Sequence, residues 1–184
     1  MKRLFDLLLS SVVLFLLLPA IAVVAILIKL ESVGPIIFVQ QRVGLSGKLF
    51  AIYKFRSMTI GAADLGPYFT RDNDVRITRV GQFIRKTSFD ELPQLINVLK
   101  GDMSIIGPRP DLPKQESNYS NAVWQERLSV RPGITGLAQA TLRSAATLEQ
   151  RTELDLEYVQ KSSFAYDVRI LALTFKQIIT KGGN

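Results

Sequence analysis

The sequence predicts a helix-rich, mixed α/β fold: a single small domain over residues 34–184, preceded over residues 1–33 by a membrane helix broken at Pro19. Three observations predict it. An uncharged run extends from Leu7 to Ile28 with Pro19 near its middle. Two short apolar stretches, Ile36–Val39 and Leu49–Arg56, flank glycines at 44 and 47. Apolar residues recur at helical spacing from Leu92 to Leu99 and again through the last third of the chain.

The apolar run exceeds the roughly 20 residues needed to cross a bilayer. A cleaved leader is disfavoured, because the run continues from Val23 to Ile28 past the small residues Ala20-Ile21-Ala22. Two geometries remain. A straight span puts Lys2 and Arg3 on one side of the membrane and the basic chain after Lys29 on the other, against the rule that cationic flanks stay cytoplasmic. Proline in a helix interior removes one hydrogen bond and crowds the carbonyl four residues earlier, here Phe15. A break at Pro19 lets the segment enter and leave by one face, with all three cations in the cytosol, and the charge pattern favours this re-entrant form.

After Gly34-Pro35, Ile36–Val39 reads as a buried strand and Leu49–Arg56 as its hairpin partner, with Lys54 and Arg56 on one face. Asp64 to Arg79 is polar and reads as a surface loop. Leu148–Tyr158 reads as a half-exposed helix. Tyr166–Ile179 reads as an amphipathic helix whose stripe of Val168, Leu171, Phe175 and Ile178 packs on the domain or lies on lipid.

Composition narrows the chemistry. The 184 residues are 47% hydrophobic and carry a formal charge of +7, which attracts anions: nucleotides, phospholipids, lipid phosphates or nucleic acid. Nucleic acid is the weakest of these, with one Trp and no binding motif. With neither cysteine nor histidine, thiol nucleophiles, Cys-based zinc sites and Ser-His-Asp arrangements are excluded. Carboxylates, Lys, Tyr, Ser and Thr remain.

The most informative stretch runs from Arg85 to Gly101. Leu92, Leu95, Ile96 and Leu99 follow helical spacing, Gly101 is a natural stop, and Pro93 fits only a first turn. Asp90 and Glu91 therefore stand at the helix start. A plain cap explains them, since Ser88 and Glu91 match a capping box. A chemical role also fits: the helix dipole favours an ionised Asp90, and Arg85 and Lys86 lie one turn away to neutralise phosphate. Further on, Pro108 and Pro110 restrict Arg109 and pre-orient a guanidinium for phosphate, or form a rigid surface turn. Arg131 to Gly136 reads as another turn with a cation and a hydroxyl.

In order and spacing these pieces resemble the bacterial sugar transferases, the monotopic phosphoglycosyl transferases: the Lys-Arg start, the proline-interrupted apolar helix, Lys54–Met58, Ser88–Gln94, Gly107–Pro110 and Arg131–Gly136. The length resembles the minimal catalytic form of that family. The resemblance implies a re-entrant helix at the cytoplasmic face of the bacterial inner membrane. It implies a Mg2+-dependent, two-step transfer of sugar-1-phosphate from a UDP-sugar to polyprenyl phosphate, as in the first step of glycoconjugate synthesis. By analogy, Asp90 is nucleophile and metal ligand, Glu91 supports it, and Arg85 and Arg109 hold the phosphates or the nucleotide, with Pro108 and Pro110 beside Arg109 in the substrate site. Lys54 and Arg56 line a basic site, Arg131 contributes to substrate binding, and Arg143 approaches the sugar. Two departures stand out: Leu18 precedes the membrane proline where serine is common, and Thr141-Leu142-Arg143-Ser144 replaces an Asn-Gly-Arg run. Without the serine, Ser10, Ser11 or water must take the freed carbonyls. Phospholipid is a further expected partner, and homo-oligomerisation is left open. The rival reading is a non-catalytic, single-pass, membrane-anchored basic adaptor.

Overall fold

The computed structural model describes residues 1–62, 65–66, 74–142 and 146–181. Among them the chain runs α1 (Lys2–Glu31), β1 (Ile37–Val43), β2 (Leu49–Phe55), α2 (Arg79–Lys86), α3 (Gln94–Lys100), β3 (Ser104–Ile106), α4 (Asn121–Arg127), β4 (Gly133–Thr135), α5 (Leu137–Thr141), α6 (Leu148–Lys161) and α7 (Phe164–Lys181). The helix-rich α/β expectation holds. β1 and β2 form an antiparallel hairpin pairing Ile37 with Phe55 and Val43 with Leu49. Helix α2 was not anticipated, and its start is fixed by Thr78, whose side chain accepts from Gly81 N at 2.9 Å. Of the polar stretch before it, residues 63–64 and 67–73 lie outside the described residues.

The segment Arg131–Gly136, read from sequence as a turn, instead supplies β4, which pairs in parallel with β3. Glycine makes this approach feasible. A Cβ on Gly133 would lie 2.1 Å from Gly107 N, and one on Gly136 would lie 2.2 Å from Gly107 O. The two Gly-bearing motifs are thus halves of one backbone crossing. The main core gathers Ile52, Val98, Met103, Ile106, Leu137, Tyr158 and Ile170 between the hairpin, β3, α3 and the C-terminal helices.

Helix α1 is continuous through Pro19, so the expected interruption is not a gap in helical structure. Among the described residues it is the one helix long and apolar enough to cross a membrane. Both of its ends are fastened to the domain. At the start, Lys2 Nζ contacts Asp167 at 2.6 Å and Ile106 O at 3.2 Å, and Arg3 donates to Val98 O and Leu99 O on α3. Asp6, buried in the apolar helix, accepts from Ser104 Oγ and Ile105 N and so caps the open edge of β3. At the far end, Glu31 accepts from Arg79 N and Val80 N at the start of α2, and Arg56 donates to Ser32 O, Ser32 Oγ and Val33 O. Gly34 has φ 122°, and a Cβ there would lie 2.2 Å from Arg56 Nη1, so glycine is required where this clasp closes. Between the ends, Val12, Phe15, Leu16 and Leu18 are exposed. Ser10, one of the groups expected to serve the proline-freed carbonyls, has a buried Oγ without a hydrogen-bond partner among the described residues.

On α7 the buried face carries Asp167 and Ile170, and Leu171 of the anticipated stripe packs on the core, whereas Val168 and Phe175 are exposed and the Ile178 side chain lies outside the described residues. Asp167 is held on that inward side by Lys2 and by Tyr158 OH, and Ile170 packs in the core.

Candidate active site

Asp90 and Glu91 do not cap a long helix. They lie in a single 3-10 turn, Phe89–Glu91, separated from α3 by Leu92 and Pro93. Ser88 adopts φ 58°, which reverses the chain out of α2, and its side chain makes no capping bond. A non-glycine residue in this region is strained and held by its surroundings. The buried face of α3 also departs from the apolar spacing: Gln94 and Asn97 are buried, while Ile96 is exposed. Asn97 accepts from Tyr53 N at 3.0 Å and donates to Ala51 O at 2.7 Å, standing in for the strand that β2 lacks on that edge.

This scaffold gives the two acids different environments. Glu91 Oε1 accepts from Lys54 Nζ at 2.7 Å and from Arg109 Nη2 at 3.1 Å. Burial alone raises its pKa, but Lys54 and Arg109 overcome that and hold it at about 2. Burial lowers the Lys54 pKa, with Glu91 opposing, and Arg109 is raised by Glu91. Asp90 accepts no hydrogen bond among the described residues. Burial and the neighbouring Glu91 charge push its pKa up to about 6, against the pull of Lys54, Arg85 and Arg109. The helix dipole expected to keep Asp90 acidic is too short here to set its titration. At neutral pH Asp90 is still mostly ionised, and it is the unengaged member of the pair.

Arg109 is positioned through its backbone. Pro108 O accepts from Gly133 N, Arg109 O from Arg127 Nη2, and Pro110 O from Arg42 Nη1. Arg127 is itself buried between Asp111 (2.5 Å) and Asp155 (2.7 Å), and Arg151 adds a second bond to Asp111 at 3.1 Å. Burial and Arg109 together lower Arg42 to about 10. The interacting groups comprise the cations Arg42, Lys54, Arg85, Arg109, Arg127 and Arg151 and the carboxylates Asp90, Glu91, Asp111 and Asp155. Among the described residues the cations of this cluster outnumber its carboxylates, which suits an anionic ligand.

Beside these charges opens a cavity of about 590 Å³, walled by Leu9 and Val13 of α1, Leu92 and Leu95, Ile134, Leu171 and Phe175, with Glu91, Arg109 and Arg151 as its charged lining. The structure thus brings together Lys54, Arg85, Asp90, Glu91 and Arg109 from the sequence-selected set, with Pro108 and Pro110 as the frame of Arg109. It places two elsewhere. Arg56 faces away from Lys54 because it lies just past β2 and turns back to clasp the end of α1. Arg131 is exposed and donates to Gly101 O at 3.0 Å, bracing the turn between α3 and β3. Arg143 lies outside the described residues. The sequence reading missed Asp111, Arg127, Arg151 and Asp155, although Arg151, Asp155 and Tyr158 recur at helical spacing on one face of α6. No group of three or more carboxylates suited to a metal occurs among the described residues.

Comparison with known proteins places this geometry in context. The family model described as bacterial sugar transferase matches residues 1–181. UDP-glucose:undecaprenyl-phosphate glucose-1-phosphate transferase of Escherichia coli (strain K12) is 42% identical over 189 residues, covering 98% of this chain and 41% of the relative. A UDP-N-acetylgalactosamine-undecaprenyl-phosphate N-acetylgalactosaminephosphotransferase of Aeromonas hydrophila is 43% identical, covering 99% of this chain and 44% of its own length. The chain thus spans about two-fifths of these longer relatives. It covers 96% of the Exopolysaccharide production protein PSS of Rhizobium leguminosarum bv. phaseoli, at 42% identity over 99% of this chain. With nearly its whole length matched, the chain belongs to the bacterial sugar transferase family.

Proposed function

We propose that this chain transfers a sugar-1-phosphate from a UDP-sugar to polyprenyl phosphate in two steps, with Asp90 as the nucleophile. One observation carries the reading: of two adjacent carboxylates, Glu91 is locked by Lys54 and Arg109, while Asp90 accepts no hydrogen bond among the described residues, sits among the same cations and is largely ionised at neutral pH. A cap or a structural ion pair leaves no such group. The names of the relatives, which specify UDP-sugars and undecaprenyl phosphate, support the substrate classes.

In the first step an Asp90 oxygen forms a bond to the β-phosphorus as the bridging bond to the α-phosphate breaks, and UMP leaves with that electron pair. In the second, an oxygen of the lipid phosphate attacks the same phosphorus and the Asp90 carboxylate departs. The shared site avoids bringing two bulky anions together at once. Arg109, aimed by its flanking backbone bonds, and Lys54 meet the charge that develops on the transferring group. Glu91 keeps both cations in place. Asp90 is also the residue that would hold Mg2+: such an ion takes one or two carboxylates and completes its shell with substrate phosphates and water, so a larger acidic cluster is not required. When bound, it supplies neutralisation of the diphosphate charge.

The re-entrant geometry belongs to the same proposal. A straight helix of 30 residues extends about 45 Å, yet both ends of α1 grip one domain while its middle is exposed and apolar. That pattern supports a continuous helix that enters and leaves the cytoplasmic leaflet of the inner membrane by one face. It also speaks against the single-pass adaptor, which moreover leaves the unengaged Asp90 without a role.

The test uses a UDP-sugar labelled in the β-phosphate and protein without lipid acceptor. UMP release with label retained on protein is expected, and Asp90→Asn should abolish both while the protein stays folded. An Asp90→Asn variant that turns over normally would refute the mechanism.

A further inference from the structure

Arg151 lines the cavity with Arg109, yet no motif pointed to it. It stands in the first turns of α6, where Thr147 fixes the helix start through reciprocal bonds with Gln150. Its Nη2 donates to Tyr119 OH at 2.7 Å and to Asp111 Oδ1 at 3.1 Å, so the guanidinium is oriented from one side. Its Nε is buried without a partner among the described residues. Asp111 also serves Arg127, so the Arg151 charge is only partly answered within the fold.

The rest of that cavity selects the ligand. Arg109 and Arg151 are the cations of its described lining, whereas Lys54, Arg85 and Asp90 lie outside it. The walls are mostly apolar, interrupted by Ser88, Thr135, Gln139, Thr174 and Gln177, and Leu9 and Val13 belong to the same helix that exposes Val12, Phe15 and Leu16. The apolar stretch from Leu9 and Val13 to Leu171 and Phe175 offers the charged diphosphate of a nucleotide no partner. An amphiphile with a phosphate head and a hydrocarbon tail suits it.

We infer that Arg151, with Arg109, binds the phosphate of the isoprenoid acceptor, whose first units pack against Leu9, Val13, Leu171 and Phe175. Resting on the two-step reading above, this assigns Arg151 to the second step and to the acceptor, not to the donor diphosphate.

The half-reactions distinguish the two phosphates. In the full-length protein, Arg151→Gln should raise the KM for undecaprenyl phosphate at least ten-fold and slow acceptor-dependent loss of protein-bound label. The KM for UDP-sugar in acceptor-free UMP release should shift less than three-fold. An unchanged acceptor KM overturns the inference, and so does a donor KM that rises as much. Should Arg151→Gln fail to fold, Arg151→Lys keeps a charge near Asp111 but loses the planar fork; a smaller rise in acceptor KM is expected, and none overturns the assignment. Direct titration with farnesyl phosphate reads the site without turnover: binding should weaken in both variants, and equal binding refutes the role of Arg151. If the wild-type protein releases no UMP without acceptor, the two-step reading fails, while the titration still decides the Arg151 site.

Discussion

Replacing Asp90 by Asn should make the protein inactive and more stable. In the folded chain the Asp90 pKa is about 6 against an ordinary 3.8, raised by burial and by Glu91. The folded state therefore binds the proton more tightly than the unfolded one, and stability is lost as pH rises from 3.8 through 6. At 1.36 kcal/mol per pKa unit the full difference is about 3 kcal/mol above pH 6. Partial exposure of the carboxylate, and its sharing of cations with Glu91, reduce this to on the order of 1–2 kcal/mol. For a chain of this size that corresponds to roughly 2–8 °C in Tm. Paired thermal scans of wild type and Asp90→Asn in the same detergent, at pH 7.5 and pH 4, read the effect. The variant should melt higher at pH 7.5 and nearly level with wild type at pH 4. A variant less stable at pH 7.5, or a gain undiminished at pH 4, would show that Asp90 is satisfied within the fold.

The same group sets the pH response of the chemistry. Acceptor-free UMP release should fall below about pH 6 as Asp90 takes up its proton, and a flat profile from pH 5 to 8 contradicts an ionised Asp90 nucleophile. Glu91→Gln should cost roughly 2 kcal/mol, because it leaves Lys54 and Arg109 without their shared anion; denaturant titration at pH 7 measures it. That loss should fade below pH 4.5, since the depressed Glu91 pKa makes its stabilisation present above 4.5 and lost on acidification towards 2. Arg56→Ala should cost about 2–3 kcal/mol and open residues 32–36 to protease, by removing the donors that hold the end of α1; unchanged digestion would show that Arg56 is not the clasp.

The sequence made the Arg85–Glu91 cluster and Arg109 legible because those residues are close along the chain or fixed by flanking prolines. The hairpin, α6 and α7 were legible from periodicity and a glycine turn. What escaped has a common physical cause: polar residues whose partners are distant in sequence. Arg56 shares a strand face with Lys54 by alternation, but its role is decided by carbonyls at 28–33. Gln94 and Asn97 interrupt the apolar pattern of α3 because one of them completes a strand edge. The glycines of Arg131–Gly136 suggested a turn, since spacing alone does not reveal that another glycine-bearing backbone, at Gly107, lies against them. Asp6 escaped as well, although an acid inside an apolar helix is rarely placed without a partner.

The pairing of Lys2 with Asp167 has a consequence for biogenesis. These residues are 165 positions apart, and Arg3 waits for Val98 and Asp6 for Ser104. Such long closures are slow, and synthesis delivers only about 5–20 residues per second. Helix α1 is thus synthesised many seconds before its docking partners exist, so the contacts that fasten its start close late, and the domain completes its fold by capturing a helix made well before it.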